Sequence, residues 1–138
     1  MADRVDIAIP NDREALPRIV AAVEELVERS GVAPDIAFAL DLAIDEIVTN
    51  IISYGYPDGG AGTVTLAVVV SDEEVRLEIS DDAVPFDPLT QERDPPLDGS
   101  IEDRPIGGLG LHLVQNLMDE VSYCRTDGRN HLVCVKKR

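Results

Sequence analysis

Three stretches of the chain carry groups that could do chemistry. Ile106-Gly107-Gly108-Leu109-Gly110-Leu111-His112-Leu113-Val114 sets three glycines in four positions and then turns apolar. Leu111, Val114 and Met118 recur at helical spacing, which predicts a helix beginning near Gly110. Glycine lets another group approach the backbone closely. A helix start offers free N–H groups and partial positive charge, so the pair makes an anion site with phosphate as the common guest. Taken alone, the cluster reads equally well as a turn that enters a core helix. The second stretch is Glu46-Ile47-Val48-Thr49-Asn50, a carboxylate and an amide one turn apart. The third is Ser80-Asp81-Asp82-Ala83-Val84-Pro85-Phe86-Asp87-Pro88. Two acids just past a strand lie where α/β folds often place functional groups, or else form a turn capped by its own aspartate.

These groups need elements to hold them. Val5, Ile7 and Ile9 alternate with polar or small residues and predict a strand that Pro10 ends. Asn11 or Asp12 can cap the helix that follows. Its apolar face is Leu16, Ile19, Val20, Val23, Leu26 and Val27, up to Ser30-Gly31. Pro17 falls in the first turn, where a missing N–H costs little. A second helix opens at Ala33-Pro34-Asp35 and runs to about Tyr54, with Ile36, Leu40, Ala43, Ile44, Ile47 and Ile51 on one face. At about 100° per residue, Asp45 and Thr49 point away from the core, while Glu46 and Asn50 sit at the edge of the stripe. Gly55 to Gly62 is a loop rich in breakers. Val64, Leu66, Val68 and Val70, then Val75, Leu77 and Ile79, form a hairpin through Ser71-Asp72-Glu73. Leu89 to Arg104 has no periodicity and lies between the acidic turn and the glycines, as a lid would. After the third helix, Val121 to Arg125 and His131 to Lys136 predict strands joined by Asp127-Gly128-Arg129-Asn130, where Asp-Gly is a strong hairpin signal. The order predicts one α/β (α+β) domain over residues 1–138. It is a two-layer sandwich, with about three helices on one face of a mostly antiparallel mixed sheet.

The totals agree with a globular domain of aliphatic core: 138 residues, 44% hydrophobic, no tryptophan. A net charge of −15 argues against DNA, RNA or an anionic membrane as partner. It leaves a nucleotide open, because backbone amides and Mg²⁺ can meet phosphate in place of many cationic side chains. The start, Met1-Ala2-Asp3-Arg4, lacks an apolar signal region, and no apolar run would span a bilayer. A cytoplasmic location is expected. Cys124 and Cys134 fall on two strands expected to pair, so a bridge is conceivable, but free thiols are the expectation. His112 and His131 read as structural.

The three stretches match one pattern in order. Glu46 to Asn50 is an E-x-x-x-N box on a helix, Asp81 to Pro88 resembles a D-x-G-x-P-F-D-P loop, and Gly107 to Leu111 resembles a second glycine box. The chain resembles the Bergerat-type ATP-binding fold of DNA gyrase, heat-shock chaperone ATPases, sensor histidine kinases and mismatch-repair ATPases. Within it, the compact size and the P-F-D-P and I-G-G-L-G-L-H-L-V wording resemble the anti-sigma-factor serine kinases of bacterial partner-switching systems.

That resemblance implies roles. Asn50 is implied as the Mg²⁺ ligand, Glu46 as the group that orients or deprotonates the attacking hydroxyl, and Asp81 as acceptor from the adenine amino group. Gly107, Gly108 and Gly110 are implied to meet the phosphates, and Arg104 to add a cationic contact. Ala83, Pro85, Phe86, Leu109 and Leu111 complete the implied nucleotide set. Ala83 stands where the family usually has glycine, so strain follows if that position needs positive φ, and otherwise a narrower pocket. The function implied is an ATP·Mg²⁺-dependent protein serine kinase whose partners are a sigma factor and an anti-sigma-factor antagonist, with homodimerisation among the implied states. The rival is a nucleotide-gated partner-binding module without kinase activity. A sensor histidine kinase fits less well, since no helix pair with an acceptor histidine precedes the boxes.

Overall fold

A computed structural model of the chain describes residues 3–85 and 108–138. The elements are β1 (Asp3–Pro10), a 3-10 turn (Arg13–Ala15), α1 (Leu16–Ser30), α2 (Pro34–Tyr54), β2 (Thr63–Val70), β3 (Glu74–Asp81), α3 (Gly108–Leu117), β4 (Glu120–Thr126) and β5 (Arg129–Lys137). The strands form one sheet in the order β1-β2-β3-β5-β4. Every pairing in it is antiparallel.

Local chemistry accounts for the boundaries. Asp12 accepts the Glu14 N–H and caps the 3-10 turn. Asn11 instead ties the loop after α2, donating to the Gly60 carbonyl and accepting the Gly62 N–H. Gly31 ends α1 at φ 63°, the left-handed conformation that glycine takes without penalty. Asp127 and Gly128, at φ 54° and 75°, make a two-residue turn between β4 and β5. Arg129 and Asn130, expected in that turn, therefore belong to β5.

The core joins one face of the sheet to the helices. Ile9, Leu66, Val68, Leu77, Ile79, Leu132 and Cys134 meet Ile19, Val23 and Leu26 of α1, Leu40, Ala43, Ile44 and Ile47 of α2, and Val114 of α3 in one buried cluster. Val20, expected on the buried face of α1, is instead 41% exposed. It lies beside the Ile19–Val23–Leu26 column that reaches the core, and the stripe is narrower than its apolar composition. Both cysteines are free: Cys134 is buried and Cys124 is exposed. They are not partners in register, since Cys134 faces Val121 and Cys124 faces His131. No helix among the described residues is long and apolar enough to cross a membrane.

Candidate functional site

The second half of α2, the end of β3 and the β4–β5 hairpin enclose one cleft. Its walls are Ile47, Asn50, Ile51, Tyr54 and Gly55 from the α2 side, Ile79, Asp81 and Ala83 from the β3 side, and Tyr123, Asn130 and Leu132 from the hairpin. The lining is largely apolar with a few polar groups converging on it, as small-molecule sites usually are. Of the residues singled out by sequence, Asn50, Asp81 and Ala83 come together here.

Asp81 is the last residue of β3 and is 3% exposed. Its Oδ1 accepts the Ala83 N–H at 2.9 Å and Asn130 Nδ2 at 2.9 Å. The first bond is the self-capped turn and the second anchors the carboxylate to β5; neither uses Oδ2. A functional and a structural reading of Asp81 are therefore compatible, on different oxygens. Its neighbour Asp82 is exposed and structural: it accepts the Tyr56 hydroxyl at 2.8 Å and the Thr63 N–H at 3.1 Å. The Tyr56 hydroxyl first and the Thr63 amide second hold its carboxyl below the usual range. Burial, then the bond to Asp82, pushes the Tyr56 phenol up.

Ala83 carries no backbone strain: Asp127 is the one non-glycine among the described residues with positive φ. Its methyl is buried and packs on Gly55. A Cβ placed on Gly55 would lie 2.6 Å from the Ala83 Cβ and 2.5 Å from the Ile51 carbonyl oxygen. Gly55 thus supplies the room that alanine at 83 requires. The same segment is stitched by the Val84 N–H to the Gly55 carbonyl and by Arg125 to the Ala83 carbonyl.

Asn50 lies 7% exposed in the cleft wall. Its Nδ2 is buried and has no hydrogen-bond partner among the described residues. Leaving such a donor unpaired costs about 1–3 kcal/mol, and an acceptor such as a phosphate oxygen would satisfy it. Its carbonyl oxygen is a hard donor of the kind Mg²⁺ takes, so the side chain fits a metal–nucleotide ligand. Glu46, one turn earlier, is half-buried and stands outside the cleft lining. Burial first, and the Asp45 charge second, raise its pKa, the direction that suits a proton acceptor near neutral pH.

Gly108 to Leu111 form the first turn of α3, which packs against α2. Pro85 is exposed beyond the acidic turn. Phe86, Arg104, Gly107 and the lid-like stretch lie outside the described residues. The residues that sequence reasoning missed are Gly55, Tyr123, Arg125 and Asn130. A signal existed for Asn130, which shares the inward phase of β5 with Leu132 and Cys134.

Residues 9–136 match the model of the histidine kinase-like ATPase domain. The chain belongs to this family. Among the most similar members, the serine/threonine-protein kinase BtrW of Bordetella bronchiseptica is 36% identical over 110 residues, covering 80% of this chain and 77% of that one. The serine-protein kinase RsbW of Listeria monocytogenes is 25% identical over 131 residues, covering 93% and 83%. The crystal structure of the RsbU and RsbW domains of Rv1364c from Mycobacterium tuberculosis superposes with a TM-score of 0.68 at 18% identity, covering 99% of this chain and 33% of that longer one. That likeness shows the shared fold of the histidine kinase-like ATPase domain.

Proposed function

We propose that this chain is an ATP-dependent protein serine kinase and anti-sigma factor of a partner-switching system. Its substrate is a serine of an anti-sigma-factor antagonist, and it also holds a sigma factor inactive. The observation that carries the reading is the buried Nδ2 of Asn50, which has no partner among the described residues, set in the same cleft as Asp81 and one turn from Glu46. The kinase names of its relatives support it.

The residues divide the work. Asp81 accepts the adenine amino group through Oδ2, with Ile79 and Leu132 lining the same cleft. Asn50 holds Mg²⁺ through its side-chain oxygen, and the ion supplies charge neutralisation for the phosphates. The amides of Gly107, Gly108 and Gly110, with Arg104, bind and orient those phosphates. Glu46 takes the proton of the serine hydroxyl, a role that typically contributes about 10²–10⁴-fold in rate. Phosphoryl transfer asks mainly for positioning and charge stabilisation, so this sparse set suffices. Ala83 sits against Gly55 without a positive φ, which is compatible with this reading.

The test is transfer of phosphate from ATP to purified candidate antagonists, read as phosphoserine by mass spectrometry. Wild type labels one of them and Glu46→Gln labels none. Bound ATP with no phosphoserine on any candidate would remove the kinase reading.

A further inference from the structure

Asn130 is the second residue of β5 and stands opposite Asp81 on one side and Arg125 on the other. It is 5% exposed. Four neighbours leave its amide a single orientation. The Val84 carbonyl, 2.9 Å away, only accepts and must face Nδ2. The Arg125 guanidinium, 2.9 Å away, only donates and must face Oδ1. The Tyr123 hydroxyl donates to the same Oδ1. The remaining Nδ2 hydrogen then goes to Asp81 Oδ1. Arg125 is itself braced on the carbonyls of Ala83 and Gly128.

Two donors, the Ala83 N–H and Asn130 Nδ2, thus converge on one oxygen of Asp81. One donor alone fixes a position but leaves the carboxylate free to turn about that contact, and either oxygen can take it. Two donors from different directions fix its plane. Oδ2 is then held at one place and presented only as an acceptor.

We propose that Asn130, oriented by Tyr123 and Arg125, is the positioning residue of Asp81 and thereby sets the base selectivity of the site. The proposal rests on the reading of Asp81 as the adenine partner. A fixed acceptor rewards the 6-amino group of adenine and opposes the 6-oxo group of hypoxanthine or guanine, because two acceptors then meet without a proton between them. The selectivity is a property of the β5 amide as much as of the carboxylate.

The experiment measures dissociation constants of Mg·ATP and Mg·ITP by calorimetry for the full chain, as wild type, Asn130→Ala, Asn130→Ser and Tyr123→Phe. ITP carries a 6-oxo group in place of the 6-amino group that Asp81 reads, with a proton on the neighbouring N1. Wild type is expected to prefer ATP by on the order of 100-fold, the range of a hydrogen bond to a charged group. Asn130→Ala lowers that preference about tenfold by weakening ATP and leaving ITP unchanged. Asn130→Ser, which retains a donor, recovers part of it. A purely structural role would weaken both nucleotides alike and keep the ratio, and that result overturns the proposal. Should Asn130→Ala fail to fold, Tyr123→Phe decides: it removes a bond to Asn130 Oδ1 and keeps both donors to Asp81 Oδ1, and it lowers the same ratio or refutes the idea. If wild type binds no ATP, the adenine reading itself falls and takes this proposal with it. A wild type that binds ATP while all variants keep its ratio defeats the positioning role alone.

Discussion

Placing a methyl on Gly55 tests how the cleft is assembled. In Gly55→Ala the new Cβ would sit 2.5 Å from the Ile51 carbonyl oxygen and 2.6 Å from the Ala83 Cβ. Both are closer than carbon contacts allow, so the end of α2 and the Asp81–Val84 turn must move apart. Overpacking of this kind costs about 1–3 kcal/mol. The backbone of Gly55, at φ −76° and ψ −18°, suits alanine, which returns about 0.4–1 kcal/mol through the unfolded chain. The net loss is about 1–2 kcal/mol, a Tm lower by roughly 4–8 °C for a domain of this size. Ala83→Gly alone loses a buried methyl and gains backbone freedom, together about 1.5 kcal/mol. In the double variant the Ala83 half of the overlap is gone while the Ile51 half stays. The two changes should therefore couple favourably by about 1 kcal/mol. The Ala83 N–H bonds Asp81, so Gly55→Ala should also weaken ATP about tenfold, the scale of one disturbed charged hydrogen bond. Thermal unfolding of the four proteins checks the cycle. A Gly55→Ala protein with wild-type Tm, or a strictly additive double variant, would refute the contact.

Other consequences follow from charge and burial. Glu46 has a raised pKa, so its folded form binds a proton more tightly than the unfolded form does. The stabilisation this brings is complete below the unfolded pKa and is lost as pH rises through the folded one. At neutral pH Glu46→Gln should therefore unfold no lower than wild type while losing phosphotransfer, and wild-type transfer should decline as pH falls through that raised pKa; a pH–rate profile checks both. Asp41 is raised by burial first and by Glu24 second, with the same sign. Asp41→Asn should raise Tm at neutral pH, and the gain should vanish in acid, as thermal scans across pH would show.

Periodicity made most of the fold legible. The apolar repeats of α1 and α2 and the alternation of β1, β2 and β3 reflect burial on one face, and burial is written in residue type. At the basic C-terminal end, Arg138 donates to the carbonyls of Ser71, Ser30 and Gly31. What escaped depended on contacts between distant segments. Asn130 falls in the expected connection Asp127-Gly128-Arg129-Asn130, whereas the positive φ of Asp127 and Gly128 lets the chain reverse in two residues. Gly55 read as a helix breaker, and only the packed structure shows Ala83 against it. Asn50 was legible as an edge residue, but that its Nδ2 lacks a partner among the described residues is a tertiary fact.

The most direct measurement is thermal unfolding with and without Mg·ATP, for wild type and Asn50→Ala. Removing the buried Nδ2, which has no partner among the described residues, should leave the unliganded Tm of Asn50→Ala near that of wild type. ATP at about 100 times its dissociation constant adds roughly 2.7 kcal/mol to wild type, a rise of about 10 °C. The account predicts that rise in wild type and its loss in Asn50→Ala. A wild type that does not shift at millimolar Mg·ATP, or an Asn50→Ala protein that shifts as far, would contradict it.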